Sequence, residues 1–399
     1  MKSEFSDTQL LLQNTLREYL TREIEPLVSD MEEGSLLPYE PVRKLVRDLG
    51  LGEETGDFAS LLADSAPEDH LGLFLPRIIP IELARVCGGL CLSHGASVGL
   101  AGGVIEGRGT PEQKERWGLP IKRCEHIASW CLTEPGAGSA AIRDMKTRAV
   151  RDGEHYVLNG SKTFITNAPY ADVFIVYAKL RAEGEATSRT KGETDTVQAF
   201  IVEREDPGVE TGPPFKKMGF RSSPTGEVFL QDCRIPADRL LGGGIGERDH
   251  VRSSLATERV GLQLISYGIM ERAFDIALEY SRERHQGGQA IGTYQLIQRR
   301  LARMYMALYS ARTIIFSDVH AGRRLPASVA DICVGKLYIA EMASWVTQEA
   351  IHILAGNGYM EEYVVERLAR DAKLMELGGG TTEIQELTAG RWLFEHHGR

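Results

Sequence analysis

The strongest constraint in this chain of 399 residues is its hydrophobic period, which changes twice along its length. From about Ser6 to Cys124 apolar residues recur three and four apart, as in LLLQNTLREYL and EPVRKLVRDLGL, the spacing of helices with one buried face. From about His126 to Leu241 short β-rich runs alternate with turn residues: HYVLNGSKTFITNA, ADVFIVYAKL, VQAFIVERE and GEVFLQDCRIP. From about Asp249 the texture is helical again, with long helices expected over 251–284, 290–319, 326–356 and 361–374. A helix-period pattern does not settle as a strand, so the chain divides into three bodies. We expect an α+β protein: helical over 1–125, a small antiparallel barrel or sandwich over 126–241, and helical again over 242–399. The acidic, turn-rich stretch 52–70 reads as a loop or short surface helix, and the polar stretch 181–195 as an exposed hairpin loop.

Charge and composition narrow the function. The formal net charge is −10, and an acidic surface argues against a nucleic-acid protein, which needs a basic face. Six cysteines are scattered, and Cys87 and Cys91 have no second ligand pair at metal spacing, so no metal site is expected. Buried free thiols in a reducing compartment are the better reading. The N-terminal MKSEFSDTQLLLQNTLREYL lacks the apolar core of a signal peptide, and no apolar stretch reaches membrane-spanning length. A soluble, cytoplasmic protein is the expectation.

Chemistry first shows in WCLTEPGAGSA, Trp130 to Ala140. Pro135, Gly136 and Gly138 break a strand and bare backbone N–H groups, while Thr133 and Ser139 add hydroxyls, a composition able to cradle a polar cofactor group. On glycine and proline content alone a plain turn serves as well. The string has companions, however: NGSKTFITNA, KMGFRSSPTGEVFLQDCRIPADRLLG, GNGYMEEYVVERLARDAK and RDAKLMELGGGTTEIQ follow in order. Together they resemble the acyl-CoA dehydrogenase family, in register from about residue 80 to the end.

That resemblance implies an N-terminal helical domain, a central β domain, a C-terminal four-helix domain, and FAD between the last two with a neighbouring subunit completing its site. By position, Trp130, Leu132 and Thr133 fall along the isoalloxazine, Gly138 and Ser139 on the cofactor loop, with Ser139 near both flavin and thioester. Phe164 and Thr166 fall where the family presents an aromatic residue and a threonine to flavin. Arg284, Gln295, His352 and Gly356 correspond to residues that reach the partner subunit's FAD, and Thr381 and Glu383 to the loop at its phosphates and ribose. Leu255, Arg259, Gly379 and Ser139 fall on the substrate side. Gly287 stands where the family commonly has Phe, which removes a flavin-side packing contact. Electron-transfer flavoprotein as acceptor and a homotetramer, a dimer of dimers, are likewise implied, as is the absence of a membrane span.

Desaturation needs a carboxylate to take the α-proton while a β-hydride leaves for flavin N5, and donors for the thioester oxygen. The family's usual base precedes a Gly-Thr pair, but this chain reads Gly378, Gly379, Gly380, Thr381 there, with Gly379 in the base position. A second candidate is Glu258. It falls on the apolar stripe Leu255, Leu262, Ile265, Ile269, Ala273 and Ile276, where a carboxylate is costly unless paired, protonated or functional. A glutamate favoured only by the helix dipole and Arg259 would be the ordinary alternative. The Glu258–Arg259 pair coincides with the base position of the isovaleryl- and long-chain-type branches of the family, which selects Glu258 as catalytic. The three glycines point to a wider pocket near the thioester and a branched, cyclic or bulky acyl group. LARVCGGLCLSHGASVGLAGG reads as its lining. Cys91 stands where glutaryl-type members place Arg, and His94 reads as a structural histidine outside the site. The competing readings are a same-fold flavoenzyme that does not desaturate, a desulfinase or an oxidase, and a non-catalytic scaffold for an acyl thioester.

Overall fold

The computed structural model describes residues 5–51, 70–181, 196–243 and 249–396, so the expectations for 52–70 and 181–195 fall almost wholly outside the described residues. Helix α1 (Asp7–Glu23) begins at a reciprocal cap: Ser6 Oγ accepts from the Gln9 N–H at 3.2 Å and Gln9 Oε1 from the Ser6 N–H at 3.0 Å. Helices α2 (Val28–Glu33), α3 (Tyr39–Asp48) and α4 (Leu71–Val86) follow, then α5 (Gly88–Arg108). Helix α5 is an exception to the expectation that no stretch reaches membrane length. It has 21 residues with a hydropathy of 1.3, and 61% of that stretch is buried inside the fold, where its apolarity serves the core. Its middle, Gly95–Gly102, is π-helical.

The β region is one curled seven-stranded sheet of β1 (Ala128–Cys131), β2 (Arg148–Asp152), β3 (His155–Thr166), β4 (Val173–Arg181), β5 (Thr196–Glu203), β6 (Val209–Thr211) and β7 (Thr225–Pro236). The four expected runs are β3, β4, β5 and β7. The sheet is not purely antiparallel, because β4 pairs parallel with both β1 and β2 while pairing antiparallel with β5. Side chains alternate across a strand, and here both faces are covered. Phe174, Val176, Ala178, Phe200 and Val202 enter one core; Val173, Ile175, Tyr177, Val197, Ala199 and Ile201 enter another, shared with Ala101, Ile105 and Trp117 of the helical side. That explains why these strands read as unbroken apolar runs.

The C-terminal body contains α6 (Asp249–Glu283), a hairpin of β8 (His285–Gln286) and β9 (Gln289–Ala290), α7 (Gln295–His320), α8 (Val329–Leu354) and α9 (Val365–Leu377). A further helix, α10 (Thr382–His396), extends the expected set of four and packs Ala389 and Trp392 on Ala330 and Cys333 of α8. Helix α7 starts later than expected because the hairpin occupies the residues before it. Helix α4 is tied to α6 by buried charges: Arg85 reaches Glu271 at 2.6 Å, Asp275 at 2.7 Å and Glu82 at 3.4 Å, while Arg17 of α1 holds Glu82 at 2.7 Å. Arg85→Ala leaves Glu271 without its main counter-charge and Glu82 with Arg17 alone. It is expected to cost about 3–5 kcal/mol, read as a lowered urea midpoint at unchanged slope.

Candidate active site

The site begins with α6. Leu262, Ile265, Ile269 and Ala273 of the expected stripe are buried, and Leu255 and Ile276 partly so. Glu258, one turn before Leu262, lines a cavity of about 940 Å³. Its residual exposure is to that cavity, and burial pushes its carboxyl up to about 7 against the opposing pull of the Arg259 and Lys336 charges. The same cavity is walled by Trp130, Thr133, Phe164 and Thr166 from the sheet, by Cys91, Leu92, His94, Gly95, Ala96, Gly99 and Leu100 from α5, and by Pro76, Arg77 and Pro80 from α4.

The sheet wall is built by two of the sequence motifs locking together. Glu134 of TEPGAGS is buried and accepts from the Lys146 N–H at 2.6 Å, the Thr147 N–H at 2.9 Å and Lys162 Nζ at 2.9 Å; Lys162 of NGSKTFITNA is fully buried and also donates to the Leu132 carbonyl at 3.1 Å. The Thr163 N–H donates to the Thr133 carbonyl at 3.0 Å. This pairing fixes Thr133 beside β3. The bulge after Lys162 leaves Phe164 at φ +56° and 70% exposed, a large apolar face that the chain itself does not cover. Trp130 donates from Nε1 to Tyr177 Oη at 3.1 Å. Leu132 is buried behind this wall, and Gly138 and Ser139 lie exposed on the loop beyond it.

Gly379 packs directly on Glu258. It has φ +64°, and a Cβ placed on it would stand 3.6 Å from Glu258 Cδ and 2.6 Å from Leu262 Cδ1. The room left by the missing side chain is therefore taken by Leu262, and the cavity is widened elsewhere. A Cβ on Gly72, Gly95, Gly99 or Gly261, all in its wall, would meet nothing within 4 Å. The Gly379 carbonyl accepts from Arg259 Nε at 3.3 Å and Gln385 Nε2 at 3.0 Å, and the Gly380 carbonyl from Gln385 Nε2 and Lys336 Nζ, both at 2.9 Å. Leu255, like Trp130, packs against the core beside the sheet.

The remaining expected residues are not brought to this cavity. Arg284, Gln295, His352, Gly356 and Glu383 are exposed, and Thr381 is half-buried after the glycine turn. Gly287 has a local reason. With Gly288 it forms a two-residue turn with φ +60° and +85°, and Tyr294 Oη, 2.6 Å from where its Cβ would be, donates to the Gln286 carbonyl. His94, set outside the site on sequence, lies in the cavity wall, and burial pushes its imidazole down to about 4, so it is neutral. Sequence reasoning also missed Lys336, a fully buried cation of α8, and Arg77, whose guanidinium donates to the carbonyls of Leu73, Ile315 and Arg324.

All six cysteines are free and buried. Among the described residues no group of three or more metal-ligating side chains occurs.

A carboxyl that burial pushes up to about 7 therefore shares one largely apolar cavity with the exposed Phe164 and with Trp130, Thr133 and Thr166 of the sheet. The comparisons give the class. The acyl-CoA dehydrogenase middle-domain model matches residues 129–233, and the acyl-CoA dehydrogenase C-terminal-domain model matches residues 248–394. The chain is 36% identical to the mitochondrial 2-methylacyl-CoA dehydrogenase of Solanum tuberosum, over 98% of this chain and 93% of that protein. It is 34% identical to the mitochondrial isovaleryl-CoA dehydrogenase of Arabidopsis thaliana, over 98% and 92%. The structure of butyryl-CoA dehydrogenase from Megasphaera elsdenii superposes with a TM-score of 0.85 at 30% identity, over 99% of this chain and 100% of that one. The chain belongs to the acyl-CoA dehydrogenase family, flavin-dependent oxidoreductases acting on acyl-CoA.

The raised carboxyl has a thermodynamic consequence. Between its ordinary value near 4.5 and about 7, Glu258 keeps its proton in the folded chain and loses it in the unfolded one, so stability falls as pH rises through that window. Glu258→Gln should therefore be more stable than the parent above pH 7, by up to roughly 3 kcal/mol, with the difference vanishing below pH 4.5; melting curves across pH measure it.

Proposed function

We propose that this enzyme desaturates the α,β bond of an acyl-CoA that is branched, cyclic or bulky near the thioester, with Glu258 taking the α-proton. The observation that carries this reading is the placement of Glu258 in one cavity with Trp130, Thr133, Phe164 and Thr166, with Gly379 at its back. With a carboxyl pushed up to about 7, Glu258 is a stronger base than a solvated glutamate yet still ionised in part at neutral pH. The apolar α5 wall takes the chain beyond the reacting carbons. Gly95, Gly99 and Gly261 leave room for a branch. The names of the 2-methylacyl- and isovaleryl-CoA relatives, both branched acyl groups, support the same class.

The residues of the sheet wall fit FAD: a large aromatic face left bare at Phe164, the indole of Trp130, and the hydroxyls of Thr133 and Thr166 on the cavity side. Bound there, FAD supplies the acceptor for the hydride leaving Cβ. Gly138 and Ser139 are the loop positions for its polar portion. Arg284, Gln295, His352, Gly356, Thr381 and Glu383 are the residues offered to a neighbouring subunit's FAD in a homotetramer. The exposed Tyr305, Met306 and Tyr309 of α7 and Phe394 of α10 support burial against another copy. Electron-transfer flavoprotein is the acceptor in this reading, and the six free, buried thiols support a reducing, cytoplasmic setting.

Glu258→Gln is expected to retain FAD and lose at least ~100-fold in the rate of anaerobic flavin reduction by substrate. Near-normal reduction in that variant would refute Glu258 as the base. In the parent enzyme, kcat/KM for isovaleryl-, 2-methylbutyryl- or cyclohexanecarbonyl-CoA should exceed that for butyryl- and octanoyl-CoA. The reverse order would sink the branched-substrate reading.

A further inference from the structure

Three consecutive glycines at 378–380 make a turn that carries the highest ordering cost of any residue type, and two of them are left-handed, at φ +64° and +94°. Such a turn stays in one conformation only if something outside it holds it. Here the holders are few. Lys336 Nζ and Gln385 Nε2 fix the Gly380 carbonyl, each at 2.9 Å, and Gln385 Nε2 with Arg259 Nε fixes that of Gly379, at 3.0 and 3.3 Å. The N–H groups of Gly379 and Gly380 donate to nothing among the described residues. They sit beside Glu258, on backbone whose Cβ position at Gly379 would be 3.6 Å from the Glu258 carboxyl carbon.

Lys336 is an unusual anchor. It projects from the middle of α8, is 1% exposed, and its only hydrogen bond among the described residues goes to a neutral carbonyl. A buried ammonium without a carboxylate in contact is costly, and burial together with the Arg259 charge pushes it down to about 8. A neutral donor of the same reach would make that bond without the cost. The charge is therefore doing something the hydrogen bond alone does not require.

We propose that Lys336 is a positioning residue for the reacting thioester: its ammonium holds the Gly380 carbonyl and so anchors the turn whose Gly379 N–H, by the family resemblance, donates to the thioester oxygen, while its charge favours the ionised form of Glu258. This rests on Glu258 being the base. The groups acting on Glu258 are Arg259 on its own helix and Lys336 from α8, with the buried Tyr177 phenol facing it from β4; Glu376 of α9, Cys333 and Glu383 act in turn on Lys336. Arg259 can supply charge but holds only the Gly379 carbonyl. Lys336 does both, to the next one.

The test uses the flavin-loaded enzyme with Lys336→Met and Lys336→Arg. Two readouts are followed: the acid limb of the kcat/KM–pH profile, and the Kd for 3-thiaoctanoyl-CoA, whose β-sulfur prevents desaturation. In Lys336→Met, with one opposing charge gone, the acid limb should move up by about one pH unit. The Kd should rise roughly tenfold through loss of the ordered turn. Lys336→Arg should return the limb to the parent position. A folded, flavin-binding Lys336→Met with parental limb and Kd overturns the proposal, as does a limb that shifts equally in Lys336→Arg. If Lys336→Met does not fold, Lys336→Gln removes the charge while leaving a shorter amide donor, and must still move the limb. Glu258→Gln separates the two readings: if it reduces flavin normally, the base assignment fails by itself, and the Kd series still tests the anchored turn.

Discussion

Burial alone pushes the Glu258 carboxyl toward neutrality, and Arg259 and Lys336 limit how far it goes. That balance requires α6, α8 and the α9–α10 turn to meet within a few ångströms, with the sheet wall across the cavity. Each approach is secured by a buried polar device. Gln263 of α6 donates to the Ile332 carbonyl of α8 at 3.1 Å, and Lys336 and Gln385 hold the turn. Lys162 and Glu134 set the loop carrying Thr133. Asn167, buried and left-handed at φ +68°, donates to the Ser93 carbonyl of α5 at 2.9 Å and the Ala128 carbonyl of β1 at 3.2 Å, so it joins the α5 wall to the sheet wall. Apolar packing fills the volume. These directional bonds decide which walls face one another.

Much of this was legible in the sequence because it depends on period. The change from helical to strand spacing and back marks the three bodies, and the four long strands fall in the four runs chosen for them. Glu258 stood out because a carboxylate on an apolar stripe breaks a pattern. Lys336 breaks one too, within VGKLYIAEMAS, but a lone cation at helical spacing reads as a solvated face. Its partner is a carbonyl 44 residues away, which no local pattern reveals. Glu134 and Lys162 were both inside recognised motifs, yet their pairing spans 28 residues and is a tertiary fact. His94 looked structural because nothing in sequence shows that its neighbours leave a cavity. Helix α10 escaped because its burial is sparse: Gln385 and Ala389 are buried, whereas Leu387, Leu393 and Phe394 are exposed, so no apolar stripe faces inward.

The departure at Gly287 is a change of turn. A glycine pair at positive φ makes a tight two-residue hairpin, and Tyr294 closes over it through its bond to the Gln286 carbonyl. An aromatic residue at 287 would need both a different backbone and a different place for Tyr294.

Gly379 and Glu258 are linked in the same physical sense. A base carried at 379 would need a side chain on left-handed backbone, and its Cβ would displace Leu262 Cδ1, 2.6 Å away, one turn from Glu258 on the same stripe. Leu262 is 6% exposed and belongs to the core that α6 shares with α4 and α8. Moving it therefore costs on the order of 1–3 kcal/mol. With glycine there, Leu262 keeps its place and the turn comes close enough to back Glu258. The glycine and the glutamate are thus coupled through one leucine. Returning the carboxylate to 379 would require repacking position 262 as well as exchanging the two residues.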